Sequence, residues 1–291
     1  MPTTFYLQLA IAGISLGSVY ALVALAIVIP FKASGVLNFG QGELATLGAY
    51  VALVLAQFAL PYPLVVILVI ATGSVLGIVM ERALIRPIVH APAFTVVIAT
   101  FAIGLAIKSA IAVHWGDTPY SIEGPFGDAP LKVGDIRVNP TSLWIIFCTV
   151  AVTAAISAFF RYTMTGKAMR AVAINPEAAV LMGIKVNGVY RWAWGISAAV
   201  GALSGLLVAP VIGVNPEIGG LILRGLVAAV IGGFTSIIGA VIGGLLVGLL
   251  ETFAAVSVGG TLKNLVPFLV LLLLLAFRPH GLFGSREVHR V

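Results

Sequence analysis

The chain is organised by long runs of apolar residues that alternate with short polar stretches. Most runs are about 20 residues long, the length that an α-helix needs to cross the roughly 30 Å hydrocarbon core of a bilayer. The runs are continuously apolar, whereas the strands of a membrane barrel alternate apolar and polar positions. The pattern predicts nine segments, near residues 5–30, 42–60, 62–81, 93–113, 141–160, 191–212, 218–233, 237–256 and 262–277.

The predicted fold is therefore an all-α polytopic membrane protein with about 8–9 transmembrane or half-membrane helices. Residues 1–291 are expected to form one membrane domain. The seventh segment is short and carries Arg224. A charge in the middle of a span has to face protein or water, so this segment is predicted to be a half-helix packed among the others.

The composition supports a membrane protein and argues against a nucleic-acid-binding one. Only 9% of the residues are charged and 60% are hydrophobic, whereas soluble domains carry about 25% charged residues. The net charge of +6 does not indicate a nucleic acid partner. The basic residues lie in loops between spans, where they set orientation and contact anionic lipid headgroups.

The distribution of Lys and Arg predicts an orientation. With the N-terminus outside, the inner loops and the C-terminal tail hold 11 of the 16 basic residues, and the outer loops hold 3. Basic residues concentrate in cytoplasmic loops, so the C-terminus is expected in the cytoplasm. The segment 114–140 is then the main outer loop, and 161–191 is the longest inner loop.

One polar stretch interrupts the apolar pattern between the first two segments. Residues 35–50 read GVLNFGQGELATLGAY and include Asn38, Gln41, Gly42 and Glu43. Glycines let a chain break and restart within a membrane, and the amides can satisfy the freed backbone groups. Two overlapping hypotheses follow: a hydrogen-bonded helix break, or a part of a translocation path, which Arg224 would share.

The inner loop contains a compact signal for a short helix. Asn175 suits an N-cap, Pro176 suits the first helical position, and Glu177 suits the positive end of the helix dipole. Gly183 provides the stop. A helix of about two turns cannot persist alone, so it is expected to pack against another element.

The sequence of this short helix resembles a known motif. Residues 177–183, EAAVLMG, are similar to the EAA-x-x-x-G motif in the cytoplasmic coupling loop of ABC importer permeases. In that family the helix sits in a groove of the ATPase subunit. The resemblance implies that the ATPase-coupling residues are those of this helix and its cap: Asn175, Pro176, Glu177, Ala178, Ala179 and Gly183.

Three further blocks narrow the resemblance to the LivH-type permeases of branched-chain amino acid importers. They are GSVYAL at 17–22 followed by NFGQGELATLGAY at 38–50, the glycine-rich AAVIGGFTSIIGAVIGGLLVG at 228–248, and FRPHGLFG at 277–284. In place of the Ala-His that the family often has between Phe and Gly-Glu, this chain has Gly40-Gln41. Permeases for urea and short amides share these blocks, so the substrate stays open between amino acids and those solutes.

The chain carries no motif that indicates an enzyme or a metal site. At Thr165-Gly166-Lys167-Ala168, an alanine stands where a phosphate loop needs Ser or Thr for Mg²⁺. The four histidines are scattered without metal-ligand spacing. An ion-coupled secondary transporter, with Glu43 as the ion ligand, is the alternative from another class, but it does not need an EAA-x-x-x-G loop.

The resemblance also implies partners and a location. We expect a multi-pass permease of the bacterial inner membrane that holds no cofactor of its own, since ATP and Mg would be bound by two ABC ATPase subunits. A second homologous permease of the LivM type is expected to form a heterodimer with this chain. A periplasmic or lipid-anchored substrate-binding protein would dock on the outer, periplasmic loops, including 114–140.

Overall fold

The computed structural model describes residues 3–89, 91–127, 129–133, 136–257, 259–260, 262–278 and 280–284. Within these ranges the chain forms eleven α-helices and one antiparallel hairpin. The prediction of an all-α polytopic protein is confirmed. The helices are α1 Thr3–Ser34, α2 Gln41–Ala56, α3 Tyr62–Met80, α4 Ala93–Trp115, α5 Pro140–Tyr162, α6 Met164–Ile174, α7 Pro176–Leu181, α8 Val186–Ile212, α9 Leu221–Gly232, α10 Ile237–Ser257 and α11 Val266–Phe277. The hairpin strands are β1 Leu131–Val133 and β2 Ile136–Val138.

Six helices in the described part of the chain are long and apolar enough to cross a membrane, namely α1, α3, α4, α5, α8 and α10. The span that begins with α3 continues to residue 88 through a π-helical turn, Glu81–Ile85, and a 3-10 turn, Arg86–Ile88. The remaining three predicted segments form the shorter helices α2, α9 and α11, of 16, 12 and 12 residues. At 1.5 Å per residue, these are about 18–24 Å long and too short to cross alone.

Helices α1 and α8 form the centre of the bundle. In each of these two helices, 78% of the most apolar 18-residue stretch is buried inside the protein. The other helices pack around them. A helix that is apolar on all sides must be surrounded by other apolar surfaces, which fits this position. The core includes Leu22, Leu25 and Ile29 of α1 and Leu206 and Leu207 of α8, none more than 2% exposed.

Helices α1 and α10 lie so close together that glycine is required between them. A Cβ atom added at Gly17 would be 2.8 Å from Cα of Leu245 and 2.9 Å from the carbonyl oxygen of Gly244. Gly248 in turn packs against the backbone of Gly17. Small residues let helix backbones approach and gain dispersion contacts in lipid, where the hydrophobic effect does not drive association. This contact explains why the block GSVYAL and the block at 228–248 carry glycine at positions 17, 244 and 248.

The C-terminal FRPHGLFG block closes the turn between α9 and α10. The backbone N–H groups of Leu282 and Phe283 donate to the carbonyls of Ile231 and Gly232, at 2.8 and 3.1 Å. Lys32 Nζ, at the end of α1, donates to the carbonyl of Thr235 in the same turn at 3.0 Å. The last carbonyls of a helix lack intrahelical partners, and the tail satisfies those of α9.

The bundle has two ends that differ in their loops. The hairpin end holds the loop between α4 and α5, where β1 and β2 pair and Tyr120 forms an isolated bridge with Val214. Asp128 of this loop, with residues 134 and 135, lies outside the described residues. The opposite end, called here the α7 end, holds α6 and α7. Most of the inner basic residues of the predicted topology lie at the α7 end.

Candidate functional site

The short helix α7 is capped as its sequence predicts. The side-chain oxygen of Asn175 accepts from the backbone N–H of Ala178 at 2.9 Å, and Pro176 occupies the first helical position. Glu177 lies in the first turn and is exposed. Capping of this kind stabilises a helix by about 1 kcal/mol, which matters for a helix of six residues.

Helix α7 ends at a left-handed glycine. Gly183 has φ of +80°, a conformation that strains any residue with a Cβ. Its N–H donates to the carbonyl of Val180 at 2.9 Å, and the N–H of Ile184 donates to the carbonyl of Ala179 at 3.0 Å. The space around Gly183 is open, since a Cβ there would meet no atom within 4 Å. Conformation, and not crowding, selects glycine here.

The outer surface of α7 is apolar and exposed. Leu181 and Met182 are 87% and 83% exposed, and Ile174, just before the cap, is 85% exposed. Ala179 is the one buried residue of the helix. A cluster of large exposed apolar side chains at the tip of a loop is typical of a protein interaction site.

Helix α7 packs against neighbouring elements of its own chain, as expected for so short a helix. Helix α6 precedes α7 in the same loop and packs against it, and α8 contacts it from the other side. The sequence did signal α6: Thr163 caps the N–H of Gly166 at 2.9 Å, and Gly166, Met169 and Val172 repeat at helical spacing and are buried. Because α6 has only 11 residues and carries Lys167 and Arg170, a search for membrane spans passes over it.

The chain breaks between α1 and α2, and buried amides bridge the break. Asn38 Nδ2 donates to Gln41 Oε1 at 3.1 Å, and Asn38 Oδ1 accepts from the N–H of Gly40 at 3.0 Å. Gln41 Nε2 donates to the carbonyl of Ser197 on α8 at 3.1 Å. Ser197 Oγ lies within hydrogen-bond distance of Gln41 Oε1, at 3.0 Å, and of the carbonyl of Ala26, at 2.6 Å.

Asn38 and Gln41 are 2% and 1% exposed. Their network holds the extended residues between α1 and α2 against α8, because each freed backbone group needs a partner away from water. Helix α2 therefore begins within the bundle and runs toward the hairpin end.

A second break lies directly against the first. After α8 the chain turns back through a 3-10 turn, Pro216–Gly220, and continues as the half-helix α9 toward the α7 end. Gly42 packs against the backbone of Gly219, and the Glu43 carboxylate occupies the space beside Gly219 that a Cβ there would fill. Glu43 also accepts a hydrogen bond from Thr46 at 3.0 Å. The first turns of α2 and of the segment leading into α9 thus meet inside the bundle.

Arg224 lies apart from the Asn38–Gln41 network. Its guanidinium contacts both carboxylate oxygens of Glu251 at 3.3 Å and donates to Asn264 Oδ1 at 2.9 Å. Tyr20 donates its hydroxyl proton to Glu251 at 2.7 Å. The Arg224–Glu251 ion pair and the hydrogen bond from Tyr20 together link α1, α9 and α10. The charge of Arg224 is therefore balanced within the bundle, which is how intramembrane charges are accommodated.

An ion pair that the sequence did not indicate lies close to Glu43. Lys108 Nζ of α4 contacts Glu217 Oε1 at 2.8 Å. The two residues are 109 positions apart, and no local pattern marks Glu217 as the partner of Lys108. Among the described residues, no three potential metal-ligating side chains come together.

Comparison with known proteins gives matches over most or all of the chain. A family model described as "Branched-chain amino acid transport system / permease component" matches residues 9–275. The high-affinity branched-chain amino acid transport system permease protein BraD of Pseudomonas aeruginosa is 31% identical over 100% of both chains. The LivH protein of Escherichia coli K12, which carries the same description, is 30% identical over 99% of this chain and 98% of its own. A probable LivH permease of Methanocaldococcus jannaschii is 27% identical over 90% of this chain and 88% of its own.

Proposed function

Since the chain belongs to the family of permease components of branched-chain amino acid transport systems, we propose that it is the membrane-spanning permease subunit of an ATP-driven importer of branched-chain or other hydrophobic amino acids. The chain itself would form no covalent bond and hold no cofactor. ATP and Mg would be bound by partner subunits. The proposal includes the bacterial inner membrane as its location, with the α7 end facing the cytoplasm.

The observation that carries the coupling part of this proposal is the exposed apolar tip of α7. A helix of six residues, capped by Asn175 and stopped by Gly183, presents Leu181 and Met182 away from the bundle. Burial of these side chains in a groove would stabilise a complex by roughly 1.5–3 kcal/mol for each side chain. The rest of α7, including Pro176, Glu177, Ala178 and Ala179, would hold this tip in register with the bundle through α6 and α8.

The proposal includes partner subunits at both ends of the bundle. Two ABC ATPase subunits would dock on the α7 end, one on this chain and one on a second permease of the LivM type, giving a pseudo-twofold assembly. A periplasmic or lipid-anchored binding protein would deliver substrate at the hairpin end, to the loop 114–140. Closure of the ATPases would move α7 and tilt the attached spans between inward-open and outward-open states.

The breaks around Asn38, Gln41, Gly42 and Glu43 are proposed to lie beside the translocation path. Half-helices that meet within a membrane protein commonly surround its transport site. Arg224, whose charge is balanced by Glu251, would hold α9 at the correct position rather than contact the substrate. This division of roles separates two groups of residues that the sequence pattern had combined.

The test of the function is transport by the reconstituted assembly. The chain is expected to copurify with its neighbouring permease and ATPases, and proteoliposomes of that complex with its binding protein should accumulate leucine when ATP is supplied without ion gradients. Replacing ATP with a non-hydrolysable analogue is the matched control. Accumulation driven by a proton gradient and indifferent to ATP would contradict the importer class, and ATP-driven accumulation of urea in place of leucine would contradict the substrate.

A further inference from the structure

The ion pair between Lys108 and Glu217 lies where lipid cannot surround it. Lys108 is seven residues before the end of α4, at Trp115, which places its Cα roughly 10 Å along the helix axis inside the hairpin end. The Glu217 side chain is 80% exposed in this chain, and that of Lys108 is 32% exposed. A charged carboxylate at such a depth faces water or protein. This side of α4 and of the second break therefore borders water or another protein surface, and not lipid.

Glu43 faces the same region from the first break. Its Cγ lies next to Gly104, one turn before Lys108 on α4, and its carboxylate lies next to Gly219, two residues after Glu217. The Glu43 carboxylate interacts electrostatically with both Lys108 and Glu217. Glu43 is half-buried, so part of it remains open. One ammonium and two carboxylates from three separate elements thus converge on one region.

An apolar cleft adjoins this charged group. Ile222, whose Cβ packs against Gly42, lines the cleft together with Leu37, Asn38 and Leu223. The cleft is narrow, with a volume of about 20 Å³. Leu223 is 52% exposed. The charged atoms lie toward the hairpin end and the cleft toward the α7 end, so a molecule passing between the two ends meets a charged region and then an aliphatic one.

We propose that Glu43, Lys108 and Glu217 select zwitterionic α-amino acids on the translocation path. The substrate ammonium would bind between the two carboxylates, and its carboxylate would bind Lys108 in exchange for the exposed Glu217. The cleft beside Ile222 holds only about 20 Å³ in this conformation, so the aliphatic side chain would enter it after α2 and α9 move apart during transport. Urea and short amides carry no formal charge, and they could not replace the Lys108–Glu217 pair. This inference rests on the proposed function, because it names the substrate chemistry of the same path.

The test separates a transport site from a structural ion pair. The complete complex is reconstituted with saturating, leucine-loaded binding protein, and leucine uptake and ATP hydrolysis are measured together. Glu43→Gln, Lys108→Gln and Glu217→Gln are each expected to lower uptake at least about tenfold, the effect of losing one charged hydrogen bond. ATP hydrolysis should stay within about twofold, because the ATPases and α7 are unchanged. Arg82→Gln, at an exposed position outside this site and outside α6 and α7, is the matched control.

The deciding variant exchanges the two charges, as Lys108→Glu together with Glu217→Lys. It retains an ion pair and the assembly of the complex but moves the positive charge to another element, so uptake is expected to stay at least about tenfold reduced. Recovery of normal uptake would show that the pair is structural only and would overturn the proposal. Unchanged uptake in the single variants would overturn it as well. A native complex that imports urea but not leucine would instead refute the proposed function, and this site with it.

Discussion

At the scale of single residues, Gly183 and Glu251 are constrained by different physical causes. Gly183 is fixed by backbone conformation, since its surroundings are empty and its φ is +80°. Glu251 is fixed by charge, since it is 4% exposed and pairs with Arg224 and Tyr20. A substitution at Gly183 should alter the geometry of the exposed end of α7, and one at Glu251 should alter the stability of the bundle.

Gly183→Val is expected to impair coupling without unfolding the bundle. A β-branched residue in the left-handed region costs about 1–2 kcal/mol, and the chain relieves that strain by displacing the end of α7. ATP-driven uptake should fall several-fold, measured in proteoliposomes of the complex, while membrane insertion stays normal.

Gly188→Ala is the control: this glycine lies in α8 close by, and its Cβ would meet only Lys185 at 3.9 Å. Gly183→Asn should retain more activity than Val, because Asn tolerates this conformation. Normal uptake in Gly183→Val would contradict the coupling role.

Glu251→Gln should destabilise the bundle by about 3 kcal/mol, because it leaves the Arg224 guanidinium with its charge uncompensated among α1, α9 and α10. The measurement is thermal unfolding of the purified protein in detergent. The double variant Arg224→Met, Glu251→Leu removes both charges and should be more stable than Glu251→Gln alone. A double variant that is no better than the single one would show that the charge pair is not the cause.

At the scale of elements, glycine contacts decide how closely the helices approach. Gly17→Leu is expected to separate α1 from α10, because even a Cβ would lie 2.8 Å from the Leu245 backbone. The loss should exceed the 1–3 kcal/mol, roughly, that overpacking costs in a core, since neither helix backbone can yield. The expected result is failure to accumulate in the membrane, measured by immunoblot. Gly260→Leu, in the open space after α10, is the control. Normal accumulation of Gly17→Leu would show that the two helices are not tightly packed.

The short elements depend on their neighbours more than the long ones do. A 12-residue half-helix such as α9 has too few internal hydrogen bonds to persist alone. The C-terminal block and Lys32 satisfy backbone carbonyls at its end and in the following turn, and Arg224 ties its first turn to α10. These links account for the family block FRPHGLFG, at the described residues 277, 278 and 280–284, in terms of backbone hydrogen bonds.

At the scale of the whole molecule, the testable property is orientation. In a chain with Cys148 replaced by alanine, cysteine is introduced either at Asp117, in the exposed loop of the hairpin end, or at Lys167, exposed on α6. A membrane-impermeant thiol reagent should label the first in intact cells stripped of the outer membrane, and the second only after the inner membrane is opened. The 11-to-3 partition of basic residues is the reason. The opposite pattern would reverse the membrane orientation and place α7 away from the ATPases.

The sequence by itself determined the number and type of the apolar segments, the cap and stop of α7, and the interruption between the first two helices. These features depend on local chemistry: about twenty apolar residues must span hydrocarbon, Asn and Pro suit a helix start, and glycine permits left-handed backbone. The helix-stop role of Gly183 could be predicted because a glycine follows the helix start at Asn175–Glu177 within two turns. Residues that act through neighbours in sequence can be recognised from sequence.

Only the tertiary structure decided which distant groups meet. The sequence placed Arg224 with Glu43 as one polar path, whereas the fold pairs Arg224 with Glu251 and places Lys108 and Glu217 near Glu43. It also gave α7 the support of α6 and brought the two helix breaks together through Gly42 and Gly219. Such contacts join residues separated by as many as 231 positions, as between Tyr20 and Glu251. Their partners depend on how the helices pack, and helix packing is decided by the shapes of whole surfaces rather than by any local pattern.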